Sequence, residues 1–368
     1  MLTGFLFKIK DHRRWQGRRY ELGHILFFSV LAILSGADSY RKVQKFIVNH
    51  YNLFNKTFKL NWKRMPAHTT IRNIIRCTSA SEPEKSFRWY SALLVEGHDE
   101  NRFISCDGKV LRGSFDHFND RKAVLILSAF LSDSHIISAH EEIAAKTNEI
   151  PTAQMLIEAS GLTGYIFTFD ALHCQEKTLR TAEKTGNDVI VQVKGNLKTL
   201  LNDCEVIAVT STPDDVYKEP ITKTRNRIES RKAEVFISPS FSDNEKWDSV
   251  EALIKVERSR QVFDTKSKIW KNSDETTFYI STTVLSAPEF CQAIRNHQGI
   301  ENRNHNVRDV TMKEDKSRIR TNPHIFARLR SFALNILRKN SVKNVSMELF
   351  TNCMNIKNVL NYEGVRQN

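Results

Sequence analysis

The chain is expected to be an α/β protein in which a mixed sheet is preceded and followed by helices. Three observations carry that expectation. Apolar residues in the first hundred positions recur at helical spacing. From residue 102 to 193, short runs rich in Ile, Leu, Val and Phe alternate with helical segments in the order β-β-β-α-β-α-β. A strand-rich stretch then separates this block from a last group of helices.

With 368 residues there is room for two or three domains and a sizeable core. Residues 1–100 read as a helical, DNA-binding domain. Leu22, Ile25, Leu26, Ser29, Val30 and Ile33 share a helical face, and Gly36 stops that helix. Asp38 or Ser39 can cap the next helix, Tyr40 to Val48. Pro66-Ala67-His68 leads into a basic helix ending near Arg76, with Thr69 as candidate N-cap. Arg72 and Arg76 on it suit a helix-turn-helix lying in a DNA major groove. They suit a surface helix with solvated arginines equally well.

Residues 101–202 change character. Arg102 to Asp107, Ala123 to Ser132 and His135 to Ile143 are strand-like, with Asp133-Ser134 as a hairpin turn. A helix over Thr152 to Ser160 is ended by Gly161. A strand at Tyr165 to Asp170 follows, then a helix at Gln175 to Lys184 ended by Gly186, then a strand at Asp188 to Val193. This is the element order of a ribonuclease-H-like core, in which the first and fourth strands lie side by side. Asp107 and Asp170 would then be neighbours. Residues 203–286 contain three strand-like runs, Ile228 to Ile237, Ser249 to Val262 and Thr276 to Val284, and read as a β-rich insertion before the last catalytic helix. Residues 287–340 return to helix, with Pro288 in a first turn. The helix from Pro323 to Arg338 buries Ile325, Phe326, Leu329, Phe332, Ala333, Ile336 and Leu337, with Arg328, Arg330, Arg338 and Lys339 off that face. Residues 341–368 read as a tail.

Composition narrows the function. Hydrophobic residues at 40 % and charged residues at 26 % exclude a disordered chain. Lys and Arg number 55 against 42 Asp and Glu, a net charge of +13 that favours a polyanionic partner such as nucleic acid over a merely soluble surface. The six cysteines are scattered, which argues against a zinc knuckle or a disulfide framework and fits the cytoplasm. Ile25 to Leu34 falls well short of the ~20 residues that span a bilayer, and no export signal is read.

Two strand-borne aspartates, Asp107 and Asp170, and a helix-borne Glu301 form a pattern that suits metal-dependent phosphodiester chemistry. Each alone has a plainer reading, as a turn former or a cap. Together, bare carboxylates ~4 Å apart repel by about 4 kcal/mol per pair at an effective dielectric near 20. A hard divalent cation relieves this, and magnesium suits few carboxylates and open phosphate positions. If the helix is regular, His297 and His305 lie one turn to either side of Glu301 and Arg308 two turns away, where they either contact phosphates or simply face solvent on an amphipathic helix. Lys109 and Arg112 follow Asp107, and Lys194 and Asn196 lie at the C-terminal end of a strand, where open α/β sheets bind ligands. Glu314 and Asp315, in the charged run Lys313 to Arg320, are the rivals of Glu301.

These residues also resemble a known family. Asp107-Gly108-Lys109, Leu111-Arg112-Gly113-Ser114, Lys146-Thr147-Asn148-Glu149-Ile150, Asp170-Ala171-Leu172-His173-Cys174-Gln175 and Lys194-Gly195-Asn196 fall in the order of the ISAs1 family of insertion-sequence transposases, which includes the H-repeat-associated proteins. So do His297, Ile300-Glu301-Asn302, His305, Asp309-Val310, Glu314-Asp315, Ser317-Arg318 with Arg320, and Ala333-Leu334-Asn335. The resemblance runs from about residue 7 to 340. It implies a DDE transposase with Asp107, Asp170 and Glu301 as catalytic and metal-binding triad. Two magnesium ions are implied, with manganese as a substitute. It further implies cleavage and strand transfer of double-stranded DNA at terminal inverted repeats, by a homodimer on DNA. Arg318, in the charged run Lys313 to Arg320, could pair with phosphates, or the run could be a solvated face. Three positions depart from the family pattern. Gln298 stands where Trp is usual, Asn304-His305-Asn306 where Leu-His-Trp is usual, and Leu197 where Gln is usual. The alternatives are a catalytically weak or repurposed DNA-binding protein and a stand-alone nuclease.

Overall fold

A computed structural model describes residues 1–60, 62–79, 81–95, 102–115, 123–143 and 149–365. Five helices come first: α1 (Leu2–Leu6), α2 (Leu22–Leu34), α3 (Tyr40–Phe58), α4 (His68–Arg76) and α5 (Ser81–Val95). Then follow β1 (Phe103–Val110), β2 (Leu125–Leu131), β3 (Ile137–Ile143), α6 (Glu149–Ser160), β4 (Ile166–Phe169), α7 (Glu176–Lys184), β5 (Asp188–Val193) and α8 (Lys198–Thr210). Strands β6 (Asp215–Lys218), β7 (Thr222–Thr224), β8 (Arg227–Ile237), β9 (Ala252–Asp264) and β10 (Ile269–Ser281) lead to α9 (Ala287–Gln298). The last helices are α10 (Pro323–Lys339), α11 (Val345–Met354) and α12 (Ile356–Asn361). Among the described residues no helix is long and apolar enough to cross a membrane.

The chain forms two compact units. One comprises Met1–Glu100, Gly108–Lys146 and Ile300–Asn368; the other comprises Asn101–Asp107 and Thr147–Gly299. The first hundred residues therefore do not stand apart as expected. In the first unit α10 packs on α2, α4 and α5, and α5 packs on β3. Helix α2 is apolar almost throughout and is buried at every position but His24. It ends because Gly36 takes a positive φ of 83° that other residues adopt at a cost. Helix α4 starts one residue before Thr69, with Ala67 at the N-cap, so Thr69 lies inside the first turn rather than capping it. The expected tail is helical, with Asn344 capping α11 through Met347 N.

Helix α10 corrects a second expectation. Arg328 and Arg330, expected off its apolar face, are 4 % and 2 % exposed. They are buried because carboxylates meet them. Arg328 Nε donates to Glu84 Oε2 at 2.6 Å, and Arg330 stacks over the Phe326 ring at 4.7 Å with Glu314 Oε1 3.7 Å away. Glu84 also accepts from Arg88 Nε (2.9 Å) and from the His140 backbone N–H (2.7 Å). Burial alone would raise the Glu84 carboxyl, but contacts with His140 and Arg328 outweigh it and hold it well below the carboxylate range.

The second unit holds the strand order β1-β4-β5-β10-β9-β8-β6, with β7 on β8. Strands β1, β4 and β5 pair in parallel, and β10 joins β5 antiparallel, so the sheet is mixed. The strands expected as an insertion thus extend the sheet. The expected β-rich stretch also omits α8, which buries only Leu200 and Cys204. Helix α9 packs on β4, β6 and β8 through Phe290, Cys291, Ala293 and Ile294, which meet Ile166, Val235 and Ile254 in one apolar core. Its start carries Ser286 and Glu289 as a reciprocal cap and Pro288 in the first turn, as expected.

Burial pushes His140 down to about 4. Unfolding releases it to the ordinary value near 6.5, so between those values the unfolded chain binds the extra proton. Stability should therefore be complete above pH ~6.5 and fall by about 2–3 kcal/mol as pH drops to about 4. Urea unfolding at a series of pH values should show a slope at least this large, and His140→Gln should reduce it by this amount, leaving the part due to His135, which burial and the nearby Arg303 also push down to about 4.

Candidate active site

The site is built on the pairing of β1 with β4, in register Phe103↔Ile166, Ile104↔Phe167 and Ser105↔Thr168. Side chains alternate along a strand, so a residue two positions on points to the same face. Asp107 and Asp170 are each two residues past the paired Ser105 and Thr168. Thr168 Oγ1 donates to Ser105 Oγ at 2.9 Å, and lies 2.9 Å from His297 Nδ1 on α9. With its one proton given to Ser105, Thr168 accepts from Nδ1–H, which selects that tautomer. The strand pair and α9 are thereby tied by a row of three polar side chains.

Strand β1 continues to Val110, so Asp107 lies within the strand rather than at its end as expected. Asp107 is half-buried. Asp170 follows β4 directly, is exposed, and caps the tight turn Ala171–His173, its Oδ1 accepting from Leu172 N at 3.2 Å. Burial lowers the proton affinity of His297, while the charges of Asp107 and Asp170 pull it up, so both carboxylates act on this one ring. His173, 2 % exposed, has Nε2 3.9 Å from Asp170 Oδ1 and 3.8 Å from Glu149 Oε1 in the first turn of α6. Asn196 Nδ2 donates to Ala171 O at 2.9 Å and fixes the turn after β5 against the turn of Asp170. Ser105, Thr168, His173 and Glu149 are site residues that sequence reasoning did not single out. The signal for the first two is their position two residues before each aspartate. Lys146, Thr147 and Asn148 lie outside the described residues.

Glu301 belongs to the other unit. It is exposed, on a run of wide π-helical turns over Glu301–His305 and Val307–Thr311. Such turns bond i to i+5, which breaks the i, i+4 alignment assumed for a regular helix. Accordingly His305 and Arg308 do not share the exposed face of Glu301; they are 8 % and 1 % exposed. Arg308 Nη2 donates to Glu314 Oε1 at 3.0 Å. Lys109, also buried, has Nζ 2.6 Å from Glu314 Oε2 and 2.5 Å from Asp309 Oδ1. The structure thus sets Lys109 and Arg308 in the interior rather than at a surface. Burial alone would raise the Glu314 carboxyl, but Arg308, Lys109 and Arg330 hold it well below the usual range. A carboxylate so occupied is a poor rival to Glu301. Asp315, half-buried, is raised by burial and by the nearby Asp309, with Arg112 3.5 Å away.

Arg72, Arg76, Arg112, Lys194, Asn196 and Arg318 are exposed. Among the described residues no group of three or more His, Cys, Asp or Glu side chains is placed to hold a metal ion. Asp107 and Asp170 offer oxygen donors only, the kind a hard divalent cation prefers.

Two departures from the family pattern have structural counterparts. Gln298 Nε2 donates to the Tyr279 hydroxyl (3.2 Å) and its Oε1 accepts from Arg231 Nη2 (3.1 Å), so α9 is pinned to β10 and β8 by hydrogen bonds. Asn304 is fully buried, and among the described residues neither its Nδ2 nor its Oδ1 has a hydrogen-bond partner. Leaving such groups unpaired costs about 1–3 kcal/mol. Asn304→Leu should therefore stabilise the protein by about that amount, read as a higher denaturant midpoint at unchanged m-value.

Comparison with known proteins gives the family. A family model described as "Transposase DDE domain" matches residues 101–337, and one described as "DDE_Tnp_1-associated" matches residues 3–90. The "H repeat-associated putative transposase YhhI" of Escherichia coli K12 is 28 % identical over 91 % of this chain and 89 % of its own length. The "Putative transposase YncI" of Escherichia coli O157:H7 is 28 % identical over 98 % of this chain and 94 % of its own. A solved piggyBac transposase synaptic complex with hairpin DNA aligns over 97 % of this chain and 79 % of that one, at 10 % identity and a TM-score of 0.42. With the domain model spanning the segment that carries Asp107, Asp170 and Glu301, the chain belongs to the DDE transposase family, in the group of the H-repeat-associated proteins.

Proposed function

We propose that this transposase binds the terminal inverted repeats of its insertion sequence, cuts the DNA there, and joins the freed 3′ hydroxyls to target DNA. The catalytic core is ribonuclease-H-like, and Asp107, Asp170 and Glu301 are its three carboxylates. One observation carries the reading: two aspartates follow paired positions on adjacent parallel strands of a DDE domain. These three residues would hold two magnesium ions, which when bound stabilise charge on the attacking and leaving oxygens of the displacement. The chain's own residues set the frame. Thr168 and His297 lock α9 to the strand pair, and His173 sits between Asp170 and Glu149. Arg112, Lys194, Asn196 and Arg318, all exposed, are the phosphate contacts in this reading; the buried Lys109, His305 and Arg308 are not. Arg72 and Arg76, one turn apart on α4, read the element ends. Two ends joined in one reaction call for a dimer on DNA.

Full-length protein with magnesium or manganese should nick a plasmid carrying the element ends. Asp107→Asn, Asp170→Asn and Glu301→Gln should each abolish nicking while leaving DNA binding and thermal stability near those of the native protein. Glu314→Gln should instead lose activity together with stability, by about 3–5 kcal/mol, because it strands buried cations. Nicking at the native rate by Glu301→Gln would falsify the assignment of the third carboxylate.

Replacing Arg72 and Arg76 together by Ala should weaken binding to end DNA. Its log–log salt dependence should flatten by about 0.9 for each phosphate that is no longer neutralised. Discrimination between end and random duplexes should fall in the same variant. Equal discrimination by variant and native protein would remove α4 from end recognition.

A further inference from the structure

The β8–β9–β10 ribbon projects from the end of the sheet. Its direction follows from register. Strand β5 runs parallel to β4, with Phe169↔Val191, so Val193 lies at the sheet end where Asp170 emerges. Val193 pairs with Phe278 of the antiparallel β10. Residues Thr277 back to Ile269 therefore continue beyond that end. At ~3.4 Å per residue these nine positions reach about 30 Å past it. Strand β9 pairs along this whole length, and β8 pairs with β9 out to Arg227↔Val262.

No second layer of described residues covers the projecting part. Every residue of β10 from Ile269 to Thr276 is exposed, on both faces. Ile269 is 61 % exposed, Trp270 44 % and Ile221, beside β7, 62 %. The two hairpin tips are joined, because Phe263 N donates to Asn226 O at 2.9 Å. Lys223 and Arg225 lie at one tip, Lys266 and Lys268 at the other, all exposed. Asp264 at the second tip is engaged already, accepting from Lys266 N (2.9 Å) and Ser267 N (3.3 Å) with Lys271 Nζ at 2.5 Å. Among the described residues the four tip cations have no ion-pair partner.

We infer that this ribbon is an arm that grips the phosphate backbone of duplex DNA lying across the Asp107–Asp170 edge. The inference rests on the DNA-cutting function proposed above. Four unneutralised cations beside exposed apolar groups suit a polyanion with stackable or groove surfaces better than an apolar partner. An arm of ~30 Å runs nearly one helical turn, about 34 Å, along a duplex aimed at the two aspartates.

The test uses the full chain and a labelled duplex of mixed sequence, without divalent metal, titrated over a range of potassium chloride concentrations. The variant carries Lys223→Gln on the exposed short strand β7 and Arg225→Gln, Lys266→Gln and Lys268→Gln at exposed turn positions, and circular dichroism checks that it folds. Its log Kd against log salt slope should fall by about 2–4, at ~0.9 for each phosphate given up, with at least a tenfold rise in Kd at low salt. Slope and Kd equal to those of the native protein would overturn the arm. So would unchanged binding with a change of oligomeric state by light scattering, which would assign the ribbon to a second copy of the chain. The two readings fail separately. Native nicking abolished by the aspartate variants but normal DNA binding by the ribbon variant sinks the arm alone. Weakened binding by the ribbon variant with no nicking by the native protein sinks the proposed activity alone.

Discussion

The parallel pairing of β1 with β4 is the constraint on which the rest of the site depends. A slip of one residue would turn every side chain of a strand to the opposite face. Asp107 and Asp170 would then no longer share a side of the sheet. The register is held by more than backbone bonds. Ser105 and Thr168 face each other as a hydrogen-bonded pair, and His297 closes on Thr168 from α9. A buried polar row of this kind is satisfied in one register only, so it specifies the arrangement as well as supporting it. The turn of Asp170 is tied in turn to the end of β5 through Asn196, which carries the same register one strand further.

A different interaction organises the helical unit. Glu314 draws Lys109, Arg308 and Arg330 inward, and Asp309 shares Lys109. Buried ion pairs of this sort contribute little net stability against an apolar alternative, yet breaking one strands the others. The cluster therefore fixes geometry at the cost of intolerance to change. It joins the far end of the strand that bears Asp107 to the segment that follows Glu301. Helix α10 is drawn into the same scheme through Arg330, while Arg328 answers to Glu84.

Much of this is legible in the sequence, and the misses have physical causes. The bounds of β1, β4, β5 and α7 and the start of α9 lie within a few residues of expectation, because apolar runs and Gly or Pro stops mark them. Helix α8 escapes notice because it buries only Leu200 and Cys204 and carries β-branched Val206, Ile207 and Val209, which mimic a strand. The arginines of α10 look solvent-facing because their partners, Glu84 and Glu314, are remote in sequence. The π-helical turns after Glu301 leave no periodic signature, so regular helical spacing puts His305 and Arg308 on the wrong face. The C-terminal stretch reads as a tail because its two short helices bury only a few residues, although Asn344 and Asn355 cap them. Glu149 is noticeable only as a member of a motif; its approach to His173 is a tertiary fact.

The projecting ribbon also carries a liability. From Ile269 to Thr277 the edge of β10 turned away from β9 has no strand partner among the described residues. An open, two-sided strand edge is a template on which another chain can add a strand. Here Ile269 and Trp270 would make such an addition adhesive. The charges spaced along the same strand, Lys271, Asp274 and Glu275, oppose it, since any partner would have to bury them or match them with opposite charge. Screening by salt weakens that opposition without touching the apolar pair. The charges along the β10 edge therefore act as gatekeepers against self-assembly, and a sequence drifting toward neutrality there would become prone to edge-to-edge aggregation before its fold was harmed.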